Sequence, residues 1–224
     1  MFRSEGAKVV GVDLRDDSPG VDLALACDVA DEDAVRAMYA RAHEAFGKLD
    51  VLFNNAGISP ADDASVLDTS LDAWQRVQDV NTKSVYLCCK HGIPYLLENG
   101  GGSVINTASF VAVMGAATSQ ISYTASKGAV LALSRELGVQ FARQGVRVNA
   151  LCPGPVNTPL LQELYANDPE QAARRLVHLP MGRFAEAREI ANAVLFLASD
   201  DSTYVTASTF LVDGGLSGAY VTPE

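Results

Sequence analysis

The chain has 224 residues and carries 17 Lys and Arg against 27 Asp and Glu, a formal net charge of −10 at pH 7. Hydrophobic residues make up 48% and charged residues 20%, a globular balance that excludes a disordered, collagen-like or disulfide-framework protein. The acidic balance argues against nucleic-acid binding, and no apolar run is long enough for a membrane span. The four cysteines form no C-x-x-C zinc pair. We therefore expect one cytoplasmic domain, residues 1–224, without a metal.

Short apolar segments alternate along the chain with helical patterns. Residues 8–14 predict a first buried strand that ends in an acid, and residues 31–47 predict a helix capped by Asp31. Further strands are predicted over 49–53, 103–107, 146–150 and 209–212, and further helices over 70–80, 82–97, 123–143 and 186–198, with two short helices within 158–177. This alternation predicts an α/β protein with a parallel sheet and helices on both faces.

Chemically distinctive residues follow the predicted strands, where open α/β sheets bind their ligands. Asp13 ends the first strand, and its carboxylate suits the hydroxyl groups of a ribose. A 2′-phosphate would be repelled there, so Asp13 favours NAD over NADP, although Arg15 lies close enough to weaken that argument. The alternative is a solvated acid with no ligand.

Tyr123 and Lys127 lie four residues apart at the start of a predicted helix, and therefore on one face. An ammonium beside a phenol favours the phenolate and lowers the phenol pKa, which predicts Tyr123 as a general acid/base. Ser109, after the preceding strand, could bind a substrate oxygen. The alternative for Tyr123 and Lys127 is an ordinary amphipathic surface.

Two further features have a structural and a functional interpretation. Asn81 lies inside a helical stretch, where its amide could hold a backbone kink or a water molecule. Pro153 and Gly154 follow a strand and would let the backbone approach a flat ligand closely, or would form a plain turn.

Several motifs follow one order over nearly the whole chain. They are Asn54-Asn-Ala-Gly57, Asn81, Ser109, Tyr123-Thr-Ala-Ser-Lys127, Arg147-Val-Asn-Ala-Leu-Cys-Pro-Gly154 with Thr158, Pro180-Met-Gly-Arg-Phe184 and Val212-Asp-Gly-Gly215. In this combination the chain resembles the short-chain dehydrogenase/reductase family in its compact form. The resemblance implies a Rossmann-like, doubly wound sheet and hydride transfer between nicotinamide and a secondary alcohol or ketone.

The resemblance also implies a role for each matching residue. Tyr123 would be the catalytic acid/base, Lys127 would lower its pKa and hold the nicotinamide ribose, Ser109 would orient the substrate oxygen, and Asn81 would hold a water that links Lys127 to solvent. The implied NAD-binding residues are Asp13, Asp28, Val29, Asn55, Ala56, Gly57, Tyr123, Lys127, Pro153, Gly154, Val156 and Thr158. Residues 158–177 would form a mobile lid over the substrate pocket.

Two departures from the family stand out. Ala207 stands where the family commonly has glycine, and the family's opening strand, glycine-rich turn (T-G-x-x-x-G-x-G) and first helix have no counterpart in this sequence. That turn binds the cofactor pyrophosphate, and the strand is central in the family's sheet, so backbone groups would be left unpaired. We therefore expect Met1 to lie inside a longer reading frame or to begin a short isoform. The alternative function is a non-catalytic remnant that keeps the fold but binds cofactor poorly.

The family usually assembles through the helices that follow Asn81 and Tyr123, so a homotetramer or homodimer is expected. Tyr86, Leu87, Val130 and Leu133 are candidates for that contact or for ordinary core. The partner that the resemblance implies is a small-molecule alcohol or ketone, which the sequence does not identify further.

Overall fold

The computed structural model describes residues 1–158, 161–162 and 169–218. Its strands are Val10–Asp13 (β1), Leu23–Ala26 (β2), Val51–Asn54 (β3), Gly102–Thr107 (β4), Val146–Pro153 (β5) and Thr209–Val212 (β6). Its α-helices are Glu32–Phe46 (α1), Leu71–Gln78 (α2), Ser84–Glu98 (α3), Ile121–Phe141 (α4), Pro169–Leu176 (α5) and Ala187–Ala198 (α6). The predicted strands and long helices are confirmed, with β2 in addition. The two short helices predicted within 158–177 lie partly outside the described residues, and α5 falls in their second half.

The strands form two parallel sheets, β1-β2 and β3-β4-β5-β6. Both sheets contribute to one hydrophobic core: Leu52 of β3 and Val104 of β4 belong to it, and Val12 of β1 packs against it. Among the described strands, β1 pairs only with β2, and β3 pairs only with β4. This division agrees with the expectation that one edge of each strand lacks its neighbour.

Helices cover both faces of the larger sheet, as predicted. Two consecutive residues of β4 belong to different hydrophobic clusters. Val104 belongs to the cluster formed with α1, α3 and α4, whereas Ile105 belongs to the cluster formed with α6. Both side chains are fully buried. A strand covered on both faces needs apolar residues in succession, which explains why the strands read as short apolar runs.

The predicted helix signals are used as expected. The Asp31 carboxylate accepts a hydrogen bond from the Ala34 N–H, and the left-handed Gly47 ends α1. Between α2 and α3 the chain makes a π-helical turn, Asp79–Lys83, with Asn81 at its centre. The helix is therefore irregular at Asn81, the residue whose amide is expected to hold a backbone kink or a water molecule.

The candidate assembly residues divide between core and surface. Leu87 and Val130 are buried in the core and Leu133 packs partly against it, so these side chains serve the fold of one chain. Tyr86 is 49% exposed on α3. No helix in the described part of the chain is long and apolar enough to cross a membrane.

Replacing Ala207 by glycine is expected to stabilise the protein by about 0.5–1 kcal/mol. Ala207 has a φ of +54°, where its Cβ is strained, and its N–H donates to the Val148 carbonyl oxygen at 2.8 Å. Glycine adopts this conformation without strain, although it also increases the entropy of the unfolded chain. Thermal unfolding measures the change.

The matched control is Ala37→Gly on the exposed face of α1, which should destabilise by about 1 kcal/mol because its backbone is helical. A lower melting temperature for Ala207→Gly would contradict the assignment of strain to this position.

Candidate active site

Three of the predicted catalytic side chains meet at the carboxyl end of β4. Tyr123 and Lys127 lie one turn apart near the start of α4, and Ser109 follows β4 by two residues. The Lys127 ammonium donates a hydrogen bond to the carbonyl oxygen of Thr107, the last residue of β4, at 2.7 Å. The same nitrogen lies 5.6 Å from the centroid of the Tyr123 ring. The Ser109 hydroxyl lies close enough to the phenol to lower the phenol pKa by hydrogen bonding.

Burial controls the protonation of this group. Lys127 is only 3% exposed, and loss of solvation lowers its pKa from 10.5 to about 8. Burial also raises the pKa of Tyr123, and the Ser109 hydrogen bond lowers it by less. The prediction that Lys127 brings this pKa below its usual value is therefore wrong for the chain alone. The Lys127 ammonium is hydrogen-bonded to the Thr107 carbonyl oxygen, and desolvation of the phenol disfavours the phenolate.

Asn81 connects the π-helical turn to the loop after β3 and to α4. Its Nδ2 donates to the Ile58 carbonyl oxygen at 2.9 Å and to Ser126 Oγ at 3.1 Å, while its Oδ1 accepts from the Ile58 N–H at 2.7 Å. The side chain is fully buried. Asn81 thus holds backbone in place beside the catalytic group, and its role in a water relay stays a prediction.

Gly57 lies between Asn81 and Lys127. A Cβ atom at this position would come 3.3 Å from both Asn81 Oδ1 and Lys127 Nζ, tighter than ordinary contact. The neighbouring Asn55 and Ala56 are exposed, and Asn55 Oδ1 accepts from the Thr107 hydroxyl at 3.1 Å. A residue larger than glycine at position 57 would therefore crowd both Asn81 and Lys127.

The other predicted cofactor residues after β1 and β2 are open to solvent. Asp13 is exposed, and one oxygen accepts from the Leu14 N–H at 2.7 Å, while no donor within the described residues reaches the other. Asp28 is exposed and accepts from the Ala30 N–H, and Val29 packs partly against the core. The chemistry of these side chains fits the ribose and adenine of a dinucleotide.

The loop after β5 is held by its close approach to β6. The Gly154 N–H donates to the Val212 carbonyl oxygen at 2.9 Å, and a Cβ at Gly154 would lie only 2.7 Å from Asp213 Cα. Pro153 ends β5, Val156 bridges to Ala185, and Thr158 is exposed. Packing therefore requires a glycine at position 154, independently of the ligand contact that is predicted for this residue.

Asp63 belongs to this site, although the sequence reasoning did not select it. Its carboxylate accepts from the backbone N–H groups of Ser122 and Tyr123 at 2.9 and 2.8 Å, and only 4% of the residue is exposed. In the sequence it stands in a polar loop next to Asp62, which suggests two solvated acids. No local pattern distinguishes it, because its partners lie 59 and 60 residues away.

Comparisons with known proteins agree with this geometry. A family model described as "Enoyl-(Acyl carrier protein) reductase" matches residues 1–217. The chain is 40% identical over 193 residues to 2-(R)-hydroxypropyl-CoM dehydrogenase of Xanthobacter autotrophicus, covering 86% of this chain and 76% of that protein. It is 40% identical over 212 residues to cis-4-hydroxycyclohexanecarboxylate dehydrogenase of Sinomonas cyclohexanicum, covering 95% and 83%. The crystal structure of levodione reductase superposes with a TM-score of 0.90 at 34% identity, covering 98% and 91%.

Proposed function

Since the chain belongs to the short-chain dehydrogenase/reductase family, an oxidoreductase family acting on CH–OH groups, we propose that it transfers a hydride between NAD and a secondary alcohol or ketone, with Tyr123 as the acid/base. One observation carries the proposal. Ser109, Tyr123 and Lys127 converge at the carboxyl end of β4, where an open α/β sheet binds its ligand.

The chain's own residues supply binding and one proton, while a bound nicotinamide supplies the hydride chemistry. Ser109 and Tyr123 hydroxyls hold the substrate oxygen between them. During oxidation Tyr123 Oη takes the alcohol proton, and during reduction it returns that proton to the new alkoxide. Lys127, with a pKa of about 8, is largely protonated at neutral pH and places a positive charge near the phenolate that forms when Tyr123 gives its proton to the alkoxide.

The cofactor-binding residues extend on both sides of this centre. On the adenosine side we assign Asp13, Asp28, Val29 and residues 55–57. On the nicotinamide side we assign Lys127 and the loop that contains Pro153, Gly154, Val156 and Thr158. The exposed Asp13 carboxylate, with one oxygen unbonded within the described residues, supports NAD over NADP because it would repel a 2′-phosphate.

Titration of the protein with NADH and NADPH tests cofactor binding before any substrate is known. We expect NADH to bind at least about tenfold more tightly and to raise the melting temperature more. Asp13→Ser should reduce that preference about tenfold, and Asp16→Asn, which removes an exposed acid three residues on, should not. Tighter binding of NADPH by the unaltered protein would refute the assignment of Asp13.

The reaction itself needs a probe substrate. The hydroxypropyl and hydroxycyclohexane groups in the names of the two relatives are secondary alcohols. We therefore choose cyclohexanol with NAD, and cyclohexanone with NADH, as first probes. Absorbance of NADH at 340 nm follows both directions, and a small panel of open-chain secondary alcohols extends the search.

A non-catalytic protein that keeps the fold is the second candidate. The division of the described strands into two sheets favours it. This candidate predicts a folded protein whose melting temperature responds to neither NADH nor NADPH. The titration therefore separates the two candidates.

A further inference from the structure

We propose that Asp63 is a positioning residue for Tyr123: its buried carboxylate caps the first turn of α4 from a distant loop and thereby fixes the backbone that carries the phenol. The inference rests on the proposed role of Tyr123 as acid/base. It adds a residue that acts through Tyr123 and does not touch the substrate.

The first turn of α4 takes its cap from outside its own sequence. The first N–H groups of any helix have no partner within it, and the residue before α4, Gln120, makes no side-chain capping bond. Instead, the Ser122 N–H donates to Asp63 Oδ1 at 2.9 Å, and the Tyr123 N–H donates to Oδ2 at 2.8 Å. The Ile121 N–H donates to the Ala64 carbonyl oxygen at 3.2 Å. Three consecutive N–H groups are thus bound by two consecutive residues of one loop.

Because the Asp63 carboxylate is buried, both of its oxygens require hydrogen-bond donors. Asp63 is 4% exposed, and a buried carboxylate is tolerated only when it is hydrogen-bonded. Its two oxygens each receive one helix N–H, and the positive end of the helix dipole compensates the charge. Replacing either oxygen by a group that cannot accept a hydrogen bond would leave one helix N–H unpaired.

The loop that supplies Asp63 is itself anchored. Arg76 of α2 binds the adjacent Asp62 through one nitrogen at 2.6 and 2.8 Å, and the Ala64 N–H donates to Thr69 Oγ1 at 2.9 Å. On the other side of the same turn, Gln78 Nε2 donates to both the carbonyl oxygen and the hydroxyl of Ser122 at 3.0 Å. The first turn of α4 is held between these two supports.

A cap at this place has a consequence beyond stability. The Tyr123 N–H is one of the two groups that Asp63 binds, so a shift of the turn moves Tyr123 directly. Lys127 is held separately, through its bond to the Thr107 carbonyl oxygen. Loss of the cap would therefore move the phenol relative to Lys127 and Ser109. A misplacement of about 1 Å at a reacting group can lower a rate about 100-fold.

The test compares Asp63→Asn, which keeps the size and one acceptor, with Asp63→Ala, which keeps neither. Asp50→Asn is the control, because it removes the same charge from an exposed ion pair with Lys48 that lies outside α4 and outside the loop carrying Asp63. With cyclohexanol and NAD, we expect kcat per folded molecule to fall about tenfold in Asp63→Asn and about 100-fold in Asp63→Ala, with both KM values within about threefold. The control should stay within about twofold of the unaltered protein.

Two readouts separate positioning from simple stabilisation. The primary deuterium isotope effect on kcat, measured with cyclohexanol deuterated at the carbinol carbon, should rise in the Asp63 variants because the chemical step slows. Amide hydrogen exchange at Ser122 and Tyr123 should accelerate in both Asp63 variants and not in Asp50→Asn. A purely structural role predicts lower stability with unchanged kcat per folded molecule and an unchanged isotope effect, and that result would overturn the proposal.

The outcomes also distinguish this inference from the proposed function. If the unaltered protein oxidises no probe, the proposed reaction fails, and the exchange measurement still decides whether Asp63 fixes this turn. Unchanged exchange at Ser122 and Tyr123 would refute the cap whatever the activity. If Asp63→Ala does not fold, Asp63→Asn alone carries the comparison, because it preserves the volume of the buried side chain.

Discussion

Replacement of Tyr123 by phenylalanine is expected to lower kcat for cyclohexanol oxidation by about 10²–10⁴-fold, the usual contribution of general acid–base catalysis. The substitution removes one oxygen and keeps the ring that packs beside Lys127. The fold should persist, because the lost hydroxyl partner, Ser109, can rotate its own hydroxyl. NADH binding should stay within about threefold, since the phenol contributes little of the contact with a dinucleotide.

The matched control is Tyr86→Phe on α3, which removes a phenol that is 49% exposed and distant from Ser109 in sequence. It should leave kcat within about twofold. Steady-state rates, melting temperatures and NADH titrations of the three proteins complete the measurement. If Tyr123→Phe retains more than about a tenth of the activity, the proton must travel by another group, and the proposed mechanism is wrong.

The sequence predicts the place of this site better than its electrostatics. Parallel strands bring their carboxyl ends to one edge, so the position of Ser109 after β4 and of Pro153 at the end of β5 follows from the strand pattern alone. The four-residue spacing likewise predicts that Tyr123 and Lys127 share a face. The direction in which the phenol pKa shifts does not follow from spacing, because burial raises this pKa and the spacing of two residues does not reveal burial.

Some features of the fold and of the site cannot be predicted from a local sequence pattern. The strand β2, Leu23–Ala26, was not predicted because it consists of leucine and alanine alone and lacks the β-branched and aromatic residues that mark the other short strands. Asp63 belongs to a loop whose meaning appears only when α4 folds against it. Asn81 is predictable in part. Its helix-disfavouring side chain predicts the irregular turn, but its hydrogen-bond partners Ile58 and Ser126 become apparent only in the folded structure.

Replacement of Lys127 by methionine is expected to lower kcat by about 10²–10³-fold and, at pH 7, to stabilise the fold. Burial lowers the pKa of this ammonium from 10.5 to about 8, so the folded protein holds its proton less tightly than the unfolded chain does. A difference of this size corresponds to a penalty on the order of 3 kcal/mol at pH 7, where both states are protonated. Methionine removes the charge at similar volume. It also leaves the Thr107 carbonyl oxygen without its donor, which costs about 1–3 kcal/mol, so we expect a net gain of about 0–2 kcal/mol.

The pH dependence identifies the cause of that gain. Between pH 8 and 10.5 the unfolded chain binds more protons at Lys127 than the folded protein does, so the unaltered protein gains stability from this group as pH rises. The advantage of Lys127→Met should therefore shrink between pH 7 and pH 9.5 when unfolding is measured in urea. Lys83→Met, which removes a 45%-exposed ammonium paired with Asp79, should show no such trend. A stability difference independent of pH would mean that packing, and not the buried charge, is responsible. A difference that shrinks with pH, together with the loss of activity, would mean that the protein keeps a destabilising charge beside its phenol because the reaction requires it.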